Sequence, residues 1–117
     1  MKKTLIAMLL LASATMLAEA QSNLGWLSNT PAEKFTKTDM KLLAKAVHDA
    51  LENSADGAPV TWENAAAQNG GTIIPSKDPA GRADCRKARI ENHHKGLNNT
   101  TDVVFCKVDG KWKWDRK

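Results

Sequence analysis

The sequence predicts an α+β fold: one N-terminal amphipathic helix packed on a small antiparallel β-meander of four to five strands, with one disulfide. Three observations predict it. Apolar residues recur at three- and four-residue steps up to Leu51, then at two-residue steps after Gly57. Turn signals punctuate the second half, and Asp109-Gly110 is a strong two-residue hairpin signal. Two cysteines, Cys85 and Cys106, lie in runs that alternate apolar and polar. One helix followed by a run of strands is α+β order.

The chain opens with MKKTLIAMLLLASATMLAEAQ. Lys2 and Lys3 form a positive n-region, residues 5–17 are apolar, and Ala18-Glu19-Ala20 is a small-residue cleavage site. That three-part pattern is a secretory signal peptide, residues 1–20. The apolar run is shorter than the ~20 residues that span a bilayer. Gln21, not a lipid-bearing cysteine, follows the cut, so the expected product is soluble, exported and periplasmic. Gly25, Ser28, Asn29 and Pro31 break any period, which reads as a linker over 21–37, with Trp26, Leu27 and Phe35 able to latch onto the domain at 38–117.

The helix is predicted over 38–54. Thr36 precedes Asp39 by three residues, a capping box with Asp in place of Glu. Met40, Leu43, Val47, Ala50 and Leu51 form its apolar stripe, while Lys41, Lys45, Asp49 and Glu52 fall mostly on the other side. Gly57 and Pro59 end it. Strands follow at 60–63, at 72–74 with Pro75 as a stop, at 82–91 after the Asp78-Pro79-Ala80-Gly81 turn, at 102–108 and at 111–114.

If the third and fourth strands pair with Cys85 opposite Cys106, opposed residue numbers sum to 191. Ile90 then faces Thr101, leaving a loop from Asn92 to Asn99. Opposed residues at a non-hydrogen-bonded pair lie ~4.5 Å apart at Cα, within reach of a disulfide. An exported chain permits the bond. A redox-active pair is the rival reading, but such pairs are usually closely spaced, as in C-x-x-C. Trp112 and Trp114 share one face of the last strand and Trp62 lies on the first; in a chain without tyrosine these rings are expected as core.

Charge is uneven. Residues 21–81 hold five lysines against seven acids, net −2, and residues 82–117 hold ten Lys and Arg against five acids, net +5. Arg86 points with Asp84 and Ala88, whereas Lys87 and Arg89 share the side of Cys85. Lys107 aligns with Phe105, and Lys111 and Lys113 alternate with the tryptophans. The candidate binding strip is Arg86, Lys107, Lys111 and Lys113, expected on the helix-free side. Its expected partner is an envelope protein or an anionic envelope component, a lipid headgroup or cell-wall polymer, and not nucleic acid.

In order, ALENSADGAPVTWEN (residues 50–64), GGTIIPSK, DCRKAR and FCKVDGKW resemble the surface-antigen domain of rickettsial-type outer-membrane antigens. The resemblance spans about 41–114, and is to a standalone, non-lipidated variant, because Gln21 stands where that family carries a lipidated cysteine. It implies a cell-envelope role, outer-membrane or cell-surface association and no catalysis.

Other chemistry has little support. His93-His94 lacks the further ligands of a zinc site. Glu52, Asp56 and Glu63 have no spaced, activating partner. Asn98-Asn99-Thr100-Thr101 contains N-x-T sequons, read here as turn residues. No catalytic residue, cofactor or metal is therefore expected. Two function classes stand: a non-enzymatic envelope protein of binding or structural type, and a small secreted enzyme or enzyme inhibitor. A cleft with convergent carboxylates or histidines favours the second, a flat basic sheet face the first.

Overall fold

The computed structural model describes residues 25–27 and 29–116. The signal-peptide pattern, its cleavage site and Gln21 lie outside the described residues. Among the described residues, one α-helix, α1 (Lys37–Asn53), packs on a five-stranded antiparallel sheet in simple meander order: β1 (Val60–Asn64), β2 (Asn69–Lys77), β3 (Cys85–His94), β4 (Leu97–Val108) and β5 (Lys111–Trp114). Among the described residues, no helix is long and apolar enough to cross a membrane, which leaves membrane-crossing strands unaddressed.

α1 starts at the capping box. The Thr36 hydroxyl accepts the Asp39 N–H at 3.1 Å, and Asp39 Oδ2 accepts the Thr36 N–H at 2.8 Å. Its stripe of Leu43, Ala46, Val47, Ala50 and Leu51 is buried in one cluster with Trp62, Ile73, Ala88 and Ile90. Ser54, in extended conformation, caps the other end.

The N-terminal segment does more than link. Two 3-10 turns, Gly25–Leu27 and Pro31–Lys34, carry Trp26, Leu27 and Ala32 into the core. Trp26 meets Phe105 edge-on at 6.0 Å, and Phe35 meets Trp62 edge-on at 5.1 Å. The second turn lies on β3 and β4, which α1 does not fully cover.

The register sum of 191 holds along the whole of β3–β4: Cys85 faces Cys106 and Ile90 faces Thr101. Yet this hairpin continues beyond the expected loop. Pairing runs to His94 opposite Leu97, and Lys95-Gly96 makes a two-residue turn with both φ angles positive, 47° and 83°. Asp109-Gly110 turns in the same manner, with φ of 52° and 77°, the backbone that favours glycine and asparagine or aspartate.

β2 also exceeds its expected length, because Pro75 does not stop it. β1 pairs only as far as Ile73, so from Ile74 onward β2 is an edge on that side. The Pro75 carbonyl points there and accepts the Gly57 N–H at 2.8 Å. The missing proline N–H faces the same way, and the β3 ladder loses nothing. β3 starts three residues later than expected. Asp78 Oδ2 takes the Arg82 N–H at 3.0 Å, and residues 78–84 stay in a turn.

Candidate functional site: the helix-free face of the sheet

Strand alternation sorts the side chains. Ala88, Ile90, Val103 and Phe105 point into the core beneath α1 and the N-terminal turns. The intervening residues Cys85, Lys87, Arg89, Val104 and Cys106 therefore point away, joined by Lys111 and Lys113 from β5.

The disulfide forms on this outer face, with Cα atoms 4.0 Å apart across β3 and β4. Lys113 lies level with it, opposite Cys106, and Lys111 lies opposite Val108. Lys87 stands opposite Val104. Lys111 and Lys113 are exposed and Lys87 is half-buried. Val108 is 46% exposed, so the lysines rim an apolar patch formed by the disulfide, Val104 and Val108. Farther along, Arg89 donates to both carboxylate oxygens of Asp102, at 3.0 and 3.3 Å. The Arg89 hydrogen bond holds the Asp102 carboxyl below its ordinary range, and burial opposes this. Lys87 lies 4.0 Å from the same carboxylate. These exposed pairs contribute little stability.

Two members of the predicted strip are elsewhere. Arg86 points to the helix side. Its Nη1 donates to the carbonyls of Ala50, Leu51 and Ser54 at 2.9–3.0 Å, and its Nη2 to Asp56 at 2.7 Å. The last carbonyls of a helix lack internal partners and carry the negative end of its dipole, so a cation is drawn there. Lys107 also faces the helix side, paired with Glu52 and 5.7 Å from the centre of the Trp112 ring. Glu52 also accepts the Trp112 indole N–H at 2.9 Å. Hydrogen bonds from Lys107, then Trp112, hold the Glu52 carboxyl below its ordinary value. Lys87, by contrast, belongs to the strip, and the alternation that put it beside Cys85 was the available signal.

The tryptophans divide. Trp26 and Trp62 are buried, whereas Trp112 and Trp114 are partly buried against the core's rim. The adjacent histidines diverge, as strand neighbours must. The His93 ring lies over Gly70, where a Cβ would come within 2.7 Å of it. His94 Nδ1 lies 2.6 Å from Asn69 Oδ1, and Asn69 Nδ2 donates to Asp39 Oδ2 at 2.6 Å. That order makes His94 Nδ1 the donor, a tautomer assigned from the network. Asp39 is fully buried and also accepts from Asn64 Nδ2 at 2.8 Å. Burial pushes its carboxyl up and is the largest single influence. The bonds from Thr36, Asn64 and Asn69 together outweigh it and leave the carboxyl below its ordinary value. This network ties α1 to the ends of β1, β2 and β3.

Among the described residues, no group of three or more His, Cys, Asp or Glu side chains converges in a way that suits a metal ion. A cavity of about 350 Å³ lies beside the β2–β3 turn, lined by Asp56, Lys77, Asp78, Arg82 and Arg86 among others. Its charges are mostly engaged with one another or with neighbours. Arg82 bridges Asp78 at 2.8 Å and Asp115 at 2.9 Å. The Arg82 hydrogen bond holds the Asp78 carboxyl down at about 2, against the cost of burial. Comparison of the chain with protein-family models, curated proteins and solved structures gave no match to any of them.

Proposed function

We propose that this chain is an exported, periplasmic cell-envelope protein of non-enzymatic, binding type, which contacts an anionic envelope component through Lys87, Lys111 and Lys113. One observation carries the reading: these three lysines lie on the helix-free face of the sheet, around a disulfide and two valines, whereas Arg86 and Lys107 lie on the helix side. A flat face of this kind suits an extended polyanion better than a small substrate. The signal-peptide pattern and the cross-strand disulfide support an oxidising compartment. The ordered motifs shared with rickettsial-type surface-antigen domains support an envelope role, with outer-membrane or surface association as its finer form.

The test is co-sedimentation of the protein with purified envelope fractions at low and physiological salt. Replacing Lys87, Lys111 and Lys113 together by Gln should leave the circular dichroism spectrum unchanged. It should weaken association by roughly a hundredfold, at ~1 kcal/mol per cation near an anionic surface. Salt should do the same, since charges are screened over ~8 Å at physiological ionic strength. Association that ignores both salt and the substitutions would sink the reading.

A further inference from the structure

α1 turns a second basic surface outward, on the opposite layer from the lysines of the sheet face. Residues four apart on a helix lie one above the other, about 6 Å along the axis. Lys37, Lys41 and Lys45 stand at that spacing, and all three are exposed. The other side of the helix sends Leu43, Ala46, Val47, Ala50 and Leu51 into the core. The three lysines therefore form one row along the outside of α1. Lys45 Nζ lies 2.7 Å from the Asp49 carboxylate, yet its side chain is 75% exposed. Lys37 and Lys41 pair with no acid among the described residues.

This arrangement works against the helix. Like charges at i,i+4 destabilise it, and the row contains two such pairs, Lys37 with Lys41 and Lys41 with Lys45. Lys37 is also the first residue of α1, where a cation opposes the positive end of the helix dipole. A solvated helix face gains from alternating sign, as in Lys45 with Asp49, and the first two lysines forgo that gain. What the row has instead is shape. Acids border it, with Asp49 beside Lys45 and Glu52 two turns farther on, so the positive surface is a line and not a broad field. Cations in line about 6 Å apart fit a chain with an anion at each short repeat, whereas a bilayer spreads its charge over a plane. The row holds Lys and no Arg. Lysine meets phosphate as a compact point charge, while paired recognition of a carboxylate favours the arginine fork.

We propose that Lys37, Lys41 and Lys45 bind a linear phosphodiester polymer along the outside of α1. The site is separate from the lysines around the disulfide and does not depend on the reading of that face.

Fluorescence anisotropy of a labelled poly(glycerol phosphate) chain, titrated with the protein at about 50 to 200 mM salt, tests it. Each lysine on a single phosphodiester chain should contribute about −0.7 to the slope of log K against log salt. Three contacts give about −2, a loss of about 20-fold across that range. Lys37→Gln with Lys41→Gln should cut the slope to about −0.7. The same variant should raise the melting temperature by roughly 2–6 °C, because both like-charge pairs and the opposed dipole are removed. Lys37→Arg with Lys41→Arg should keep the wild-type slope. Lys87→Gln with Lys113→Gln, the same charge change on the sheet face, should also keep it. An unchanged slope in the first variant, equal loss in the sheet-face variant, or no binding at all would overturn the site. Loss in the sheet-face variant alone would overturn it too, while supporting the sheet-face reading. Polygalacturonate bound as tightly as the phosphodiester would overturn the choice of polymer. A lower melting temperature in the first variant would show that these lysines serve the helix and not a ligand.

Discussion

Two residues hold the ends of α1. At the N-terminus Asp39 is buried and, among the described residues, is held by neutral donors: the Thr36 N–H and the Asn64 and Asn69 amides. At the C-terminus Arg86 reaches across from β3 to three carbonyls. Each charge opposes the helix dipole end that it meets. Asp39 and Asp78 both have carboxyls below their ordinary range, Asp78 at about 2. A lowered carboxyl in the folded state stabilises it at pH above the unfolded value, near 3.8. That stability drains away as pH falls through the folded value. The melting temperature should therefore hold from neutral pH to about 4 and then fall toward about 2. Asp39→Asn should flatten part of that decline. It should also lower stability at pH 7 by ~1–3 kcal/mol, because an amide set against two amide donors leaves buried groups unmatched. A melting temperature that does not change between pH 4 and 2 would contradict the linkage.

Among the elements, the two consecutive hairpins share one device. Lys95-Gly96 and Asp109-Gly110 each place two positive-φ residues between strands, a twist that matches the twist of the sheet. Gly96 and Gly110 have nothing within 4 Å of where a Cβ would stand, so a side chain there meets strain from the backbone and none from crowding. Gly96→Val and Gly110→Val should each destabilise by around 1 kcal/mol or more. The urea midpoint measures it, and an unchanged midpoint in either variant would count against that turn. Gly71 obeys a different constraint. A Cβ there would come within 2.5 Å of the Glu91 carbonyl and 2.8 Å of both Trp62 Nε1 and Asn92 Oδ1, so space alone excludes a larger residue.

At the scale of the whole fold, among the described residues one layer covers one face of the sheet and none covers the other. α1 covers β1 to β3, and the turns at Gly25–Leu27 and Pro31–Lys34 complete the lid toward β4. A domain this small has limited core, and the cross-strand bond compensates. Cys85–Cys106 closes a sequence separation of 21 residues, worth about 3 kcal/mol in the chain-entropy account. Cys85→Ser with Cys106→Ser should lower the melting temperature by roughly 10–20 °C. Mass spectrometry with a thiol-reactive label should find no free thiol in the oxidised wild type. Two labelled cysteines in the native protein, or an unshifted melting point in the variant, would show that the staple is dispensable.

Much of this was legible along the chain because it rests on local chemistry. The helix stripe, the Thr36–Asp39 cap, the Asp109-Gly110 turn and the limits of β5 each depend on residues a few positions apart. The cysteine register followed from arithmetic on alternation, and alternation also put Lys87 on the side of Cys85. Other features waited for the third dimension. Pro75 sits inside β2 only because β1 is too short to need its N–H. Alternation already set Arg86 with Ala88 and Lys107 with Phe105, away from Lys111 and Lys113; what only the fold decided is that the end of α1 and Glu52 meet them there. The stretch around Trp26 carries no periodic pattern, yet it becomes core because α1 leaves β4 uncovered. Period, cap and turn act between near neighbours and can be read in order. The partner of a charge, or the cover of a ring, is set by which surfaces folding brings together, and no short window of sequence contains both.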